Sequence, residues 1–88
     1  MNDVKVLIAA AGGIVAVIRG MVRCEDHAGV QQYGCAALAE LAFNNEENRV
    51  AIVAAGGIAA VTGAMGRRFE GDAGVQKYGR IALKNMGV

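Results

Sequence analysis

The sequence predicts an all-α fold, a helical solenoid of two repeats with three helices each, and three observations carry that expectation. The first is an internal duplication. Ala11-Gly12-Gly13-Ile14 recurs as Ala55-Gly56-Gly57-Ile58 at an offset of 44, which also pairs Val6 with Val50, Ile8 with Ile52, Val17 with Val61 and Met21 with Met65. Ala28-Gly29-Val30-Gln31 recurs as Ala73-Gly74-Val75-Gln76 at an offset of 45, and so do Tyr33, Gly34, Ala37 and Leu38 as Tyr78, Gly79, Ala82 and Leu83. The extra residue marks a loop between the two blocks. A period in the low forties belongs to helical solenoids, whose units bury their apolar faces only by stacking on neighbours. The second observation is phase: Val75, Gly79, Ala82, Leu83 and Met86 trace one face at 3.6 residues per turn. The third is that the chain contains no proline and no period-two alternation that would indicate strands.

The elements follow in order. A first helix is expected to begin near Val4, with Leu7 and Ile8 on its apolar side. Ile14, Val17 and Met21 then describe a short second helix, and Val30, Gly34, Ala37, Leu38 and Leu41 a longer third one. In the second copy the spacing predicts helices from about Arg49 to Ala54, Gly57 to Arg68 and Ala73 to Met86. The repeats divide the chain at 1–45 and 46–88, within one continuous structural domain. The glycine pairs Gly12-Gly13 and Gly56-Gly57 supply the positive φ at which one helix ends and the next turns off. Gly34 and Gly79 fall inside third helices, where glycine costs roughly 1 kcal/mol relative to alanine, so they are expected to permit close helix approach. Asp26 and Asp72, lying just before those helices, are expected as caps.

Composition narrows the function. Nine basic and eight acidic residues leave a formal charge of +1, no basis for recognising nucleic acid or an anionic membrane. The cluster Arg67-Arg68 with Lys77, Arg80 and Lys84 is diluted by Glu70 and Asp72 and reads as a solvated face. Val6 to Ile18 resembles the apolar part of a signal peptide, but it is short of the about 20 residues that span a bilayer and is copied mid-chain. Gly12-Gly13 lacks the rest of a dinucleotide-binding glycine pattern. Cys24 and Cys35, with ten residues between them, match neither a zinc spacing nor a disulfide scaffold, so both are expected as free thiols in a reducing compartment, cytoplasmic or nuclear. His27 lies near Cys24 with nothing to complete a metal site. Glu46 and Glu47 are adjacent and do not face each other. No catalytic group, metal or cofactor is therefore expected.

Asn48-Arg49-Val50-Ala51-Ile52, Ala55-Gly56-Gly57-Ile58, Val75-Gln76 and Ala82-Leu83-Lys84-Asn85-Met86 together resemble the armadillo repeat in its usual order. The first copy is similar through Val30-Gln31-Gln32-Tyr33-Gly34-Cys35-Ala36-Ala37-Leu38 and Leu41-Ala42-Phe43-Asn44. The resemblance implies a right-handed α-solenoid whose third helices line a concave groove for extended peptides or partner proteins. It puts Asn85 at the groove asparagine, whose amide can pair with a peptide's N–H and C=O together. The first copy has Glu40 there, an acceptor only when ionised. Ala36 and Ile81 stand where some members carry tryptophan.

The groove face so defined comprises Tyr33, Ala36 and Glu40 from one copy and Tyr78, Ile81, Lys84 and Asn85 from the other. Tyrosine offers contact area at low entropic cost, and the two tyrosines are expected to form a short ladder or to shield the helix junction. Solenoids usually need about three repeats and polar caps, which this chain lacks. The expected function is a non-enzymatic protein-contact scaffold that self-associates through uncapped apolar ends into a homo-oligomer. The alternative is extended-peptide binding by a fragment of a longer scaffold.

Overall fold

The computed structural model describes residues 12–66 and 69–88. Within them lie five helices and no strand: α1 (Ile14–Arg23), α2 (Ala28–Ala42), α3 (Glu46–Ala54), α4 (Gly57–Met65) and α5 (Ala73–Asn85). The expected first helix near Val4, and Arg67-Arg68 at the expected end of α4, lie outside the described residues.

Local chemistry sets the boundaries. Asn45 starts α3 three residues earlier than the apolar pattern suggests, its Oδ1 accepting from the Asn48 N–H at 2.9 Å. The buried Asn48 side chain in turn donates to the Leu41 carbonyl at 2.9 Å, fastening the turn between α2 and α3. Gly56, at φ +91°, bends α4 away from α3 by 72°. That conformation strains any residue with a Cβ. Among the described residues no single helix is long and apolar enough to cross a membrane.

Asp72 caps α5, its Oδ1 accepting from the Val75 N–H at 3.0 Å. The expected cap Asp26 does not serve α2. His27 does, its Nδ1 accepting from the Val30 N–H at 3.2 Å. The offset of 45 explains the difference, because it lays His27 over Asp72 and Asp26 over Gly71. The imidazole Nδ1 supplies the acceptor that a carboxylate oxygen supplies in the second half.

Equivalent residues in the two halves make equivalent contacts. Gln31 Nε2 donates to the Met21 and Cys24 carbonyls at 2.9 and 2.7 Å, tying the start of α2 to the end of α1. Gln76 Nε2 does the same for the Met65 and Phe69 carbonyls at 2.6 and 2.9 Å. Each glutamine satisfies carbonyls that a helix end leaves without intrahelical partners. Three residues beyond each glutamine, glycine admits a methionine: a Cβ on Gly34 would stand 2.5 Å from Met21 Cγ, and one on Gly79 would stand 2.5 Å from Met65 Cγ. The expectation of close helix approach at these two glycines is met.

The halves join chiefly through α2 and α5. Gly74, near the start of α5, lies against the Gln32 side chain, and Asn85, at its end, donates from Nδ2 to the Ala39 carbonyl at 2.8 Å. Early residues meet early and late meet late, so the two helices run parallel. Met21, Leu38, Ile52, Val61 and Val75 are the largest fully buried apolar side chains, and they form one continuous core.

Candidate functional site

The expected groove residues occupy unlike environments. Tyr33 is 73% exposed, whereas Tyr78 is half-buried against the core with Lys77 Nζ 5.5 Å from its ring centroid. The two tyrosines thus occupy different settings, one open and one packed. Glu40 and Lys84 are exposed, Ala36 is half-buried and Ile81 is 40% exposed. The half-buried Asn85 directs its amide nitrogen to Ala39, leaving its carbonyl oxygen as the group not used in that bond.

A different surface emerges when burial is compared position by position. On α5 and its C-cap, Val75, Ala82 and Met86 are buried and Tyr78 is half-buried. Their equivalents on α2, namely Val30, Ala37 and Leu41, are only half-buried, and Tyr33 is exposed. The preceding helices behave alike: Val61 and Ala64 on α4 are buried, while Val17 and Gly20 on α1 are half-buried. The second half lies against α2 through α5. Among the described residues of the first half the equivalent face is more exposed.

The open face is a shallow apolar groove of about 440 Å³ between α1 and α2, its floor made by Val17, Gly20, Val30 and Ala37 with Tyr33 standing at its side. Sequence reasoning chose Tyr33 but missed Val17, Val30 and Ala37, although the duplication names all of them as equivalents of Val61, Val75 and Ala82. A second depression of about 640 Å³ lies between α1 and α4, where Ile18 and Val22 face Ala59, Ala60 and Gly63.

The opposite strips exchange roles. Gln32, Cys35, Ala39 and Ala42 recur along α2 at steps of three and four, with Gln32 and Ala39 touching α5 directly; Cys35, Ala39 and Ala42 are buried. Their equivalents are Lys77, Arg80 and Lys84 on α5 and Gly87 just beyond its end, all exposed. Helix α5 therefore presents three cations outward where α2 presents uncharged, mostly small groups.

Burial pushes the Cys35 thiol up to about 11, leaving it protonated and inert at neutral pH. Cys24 is exposed, and neither thiol is in a disulfide. Glu46 is hydrogen-bonded by Arg49, which lowers its carboxyl below the ordinary value on an exposed turn of α3. Among the described residues no three His, Cys, Asp or Glu side chains converge as metal ligands would. Compared with models of known protein families, with curated proteins and with solved structures, the chain matches none.

Proposed function

We propose that this chain is a non-enzymatic protein-contact module, two stacked armadillo-type repeats of a right-handed solenoid that engage another protein through the open face of the first half. One observation carries this reading: Val30 and Ala37 are half-buried and Tyr33 is exposed, where their equivalents Val75 and Ala82 are fully buried and Tyr78 is half-buried. The residues are the same or nearly so, and apolar surface of this kind gains roughly 25 cal/mol per Å² when covered. A face built like a buried junction is suited to form another. Tyr33 supplies the aromatic anchor common at contact hot spots.

A second reading, extended-peptide binding, is favoured by the exposure of Ile81 and Tyr33 and by the exposed Glu40 and Lys84. In it the peptide runs along Tyr33, Ala36, Glu40, Tyr78, Ile81, Lys84 and Asn85. Adjacent units would engage only some two or three residues each at about 3.3 Å per residue, so affinity is weak.

Selection of binders from displayed helical and extended peptide libraries separates the two. Enriched binders that lose the chain on Tyr33→Lys or Ala37→Lys support the open face. Binders indifferent to Ala37→Lys but lost on Ile81→Asp or Lys84→Glu favour the peptide strip. Absence of any binder sensitive to either set contradicts both.

A further inference from the structure

Resting on the contact-module reading, we infer that the open face of the first half is a socket for one chemical type of helix, and that the chain carries on α5 the charges that prevent its own copies from filling it. The occupant follows from the duplication. The equivalent helix of the second half, α5, lies against α2, where Gln32 and Ala39 touch it and Cys35, Ala39 and Ala42 are buried, an uncharged and mostly small strip at steps of three and four. A helix offering such a strip fits the groove formed by Val17, Gly20, Val30 and Ala37.

In a second copy the α2 strip already lies against α5, so among the described helices the equivalent surface left for end-to-end stacking is the outer strip of α5. It reads Lys77, Arg80, Lys84 and Gly87. Seated in the groove, the three side chains would have to leave water for a floor lined by apolar and small groups, with loss of solvation that such a floor does not return. A heterologous contact of this kind does not close on itself and would otherwise propagate into a filament. Lys77, Arg80 and Lys84 thus restrict the socket to a foreign helix.

The test converts the α5 strip into that of α2. Lys77→Gln, Arg80→Ala and Lys84→Ala are made together, all at exposed positions, and mass is followed by sedimentation with helical content checked by circular dichroism. The parent should hold one mass, while the triple variant's weight-average mass should rise at least about twofold over about a hundredfold range of concentration. Lys84→Ala alone should shift mass in the same direction by less. Adding Ala37→Lys to the triple variant should return it to the parent's mass. A triple variant that keeps the parent's mass overturns the inference, as does a rise in mass that Ala37→Lys leaves untouched. If the mass does not rise yet library binders still depend on Tyr33 and Ala37, only this inference fails; with no such binders the contact-module reading fails as well.

Discussion

Asn85 on α5 donates its amide hydrogen to the Ala39 carbonyl on α2 at 2.8 Å, a side-chain bond that fixes one half of the molecule against the other. The same carbonyl also accepts from the Phe43 N–H at 3.1 Å. Removing the amide therefore does not strand the acceptor. Asn85→Ala is expected to cost about 1 kcal/mol, the worth of one net hydrogen bond, in urea unfolding. A loss well above that would mean that Asn85 holds more than this carbonyl.

Glycines in seemingly similar helical positions should respond with opposite signs. In α5, alanine at Gly79 gains about 1 kcal/mol of helix propensity but sets a Cβ 2.5 Å from Met65 Cγ and Sδ. Overpacking of that kind costs about 1 to 3 kcal/mol, so Gly79→Ala should destabilise on balance, and Met65→Ala should remove the clash. The two substitutions together should therefore cost less than their sum. Gly63 in α4 has nothing within 4 Å of a built Cβ, so Gly63→Ala should stabilise by about 0.5 to 1 kcal/mol. Thermal midpoints of the four variants check both signs.

Much of this was legible in the sequence, and the misses have physical causes. The helical class follows from apolar phase, and the role of Gly34 and Gly79 from the cost of glycine inside a helix. The residues Gln31 and Gln76 were visible as a repeated pair, but their carbonyl partners at helix ends could not be read from spacing. Asp26 was misjudged as a cap because proximity to a helix does not define its first turn; the offset through Asp72 does. The contrast between Cys35, Ala39 and Lys77, Arg80, Lys84 was present in the duplication too. Its bearing on stacking depends on which strip of each helix faces the neighbouring half, which a helix contact sets and local pattern does not encode. Asn85 was placed on a groove face by resemblance, and the bond to Ala39 depends on a helix contact between the halves that local pattern does not encode.

Cys35 offers a check through its thiol. Folding holds it protonated, with its pKa raised from 9.0 to about 11 by burial. As pH climbs past 9.0 the unfolded chain loses this proton first, so the stability that Cys35 contributes is complete below that pH and declines through about 11. The full decline amounts to at most about 3 kcal/mol. At about pH 8 a thiol reagent should modify Cys24 quickly and Cys35 only after denaturation, since the reactive species is the thiolate. Two thiols reacting together in the folded protein would place Cys35 at the surface.

The central claim is that Ala37 and Ala82, equivalent in sequence, do opposite work, one flooring an open face and the other sealing a junction. Urea unfolding of Ala37→Lys and Ala82→Lys measured side by side tests it most directly. At Ala37 the lysine stem can lie along the groove with its ammonium in water, and stability should stay within about 0.5 kcal/mol of the parent. At Ala82 the same side chain must enter the core, with a loss of about 3 kcal/mol or more, enough to unfold a small domain. Equal losses at the two positions would contradict the account.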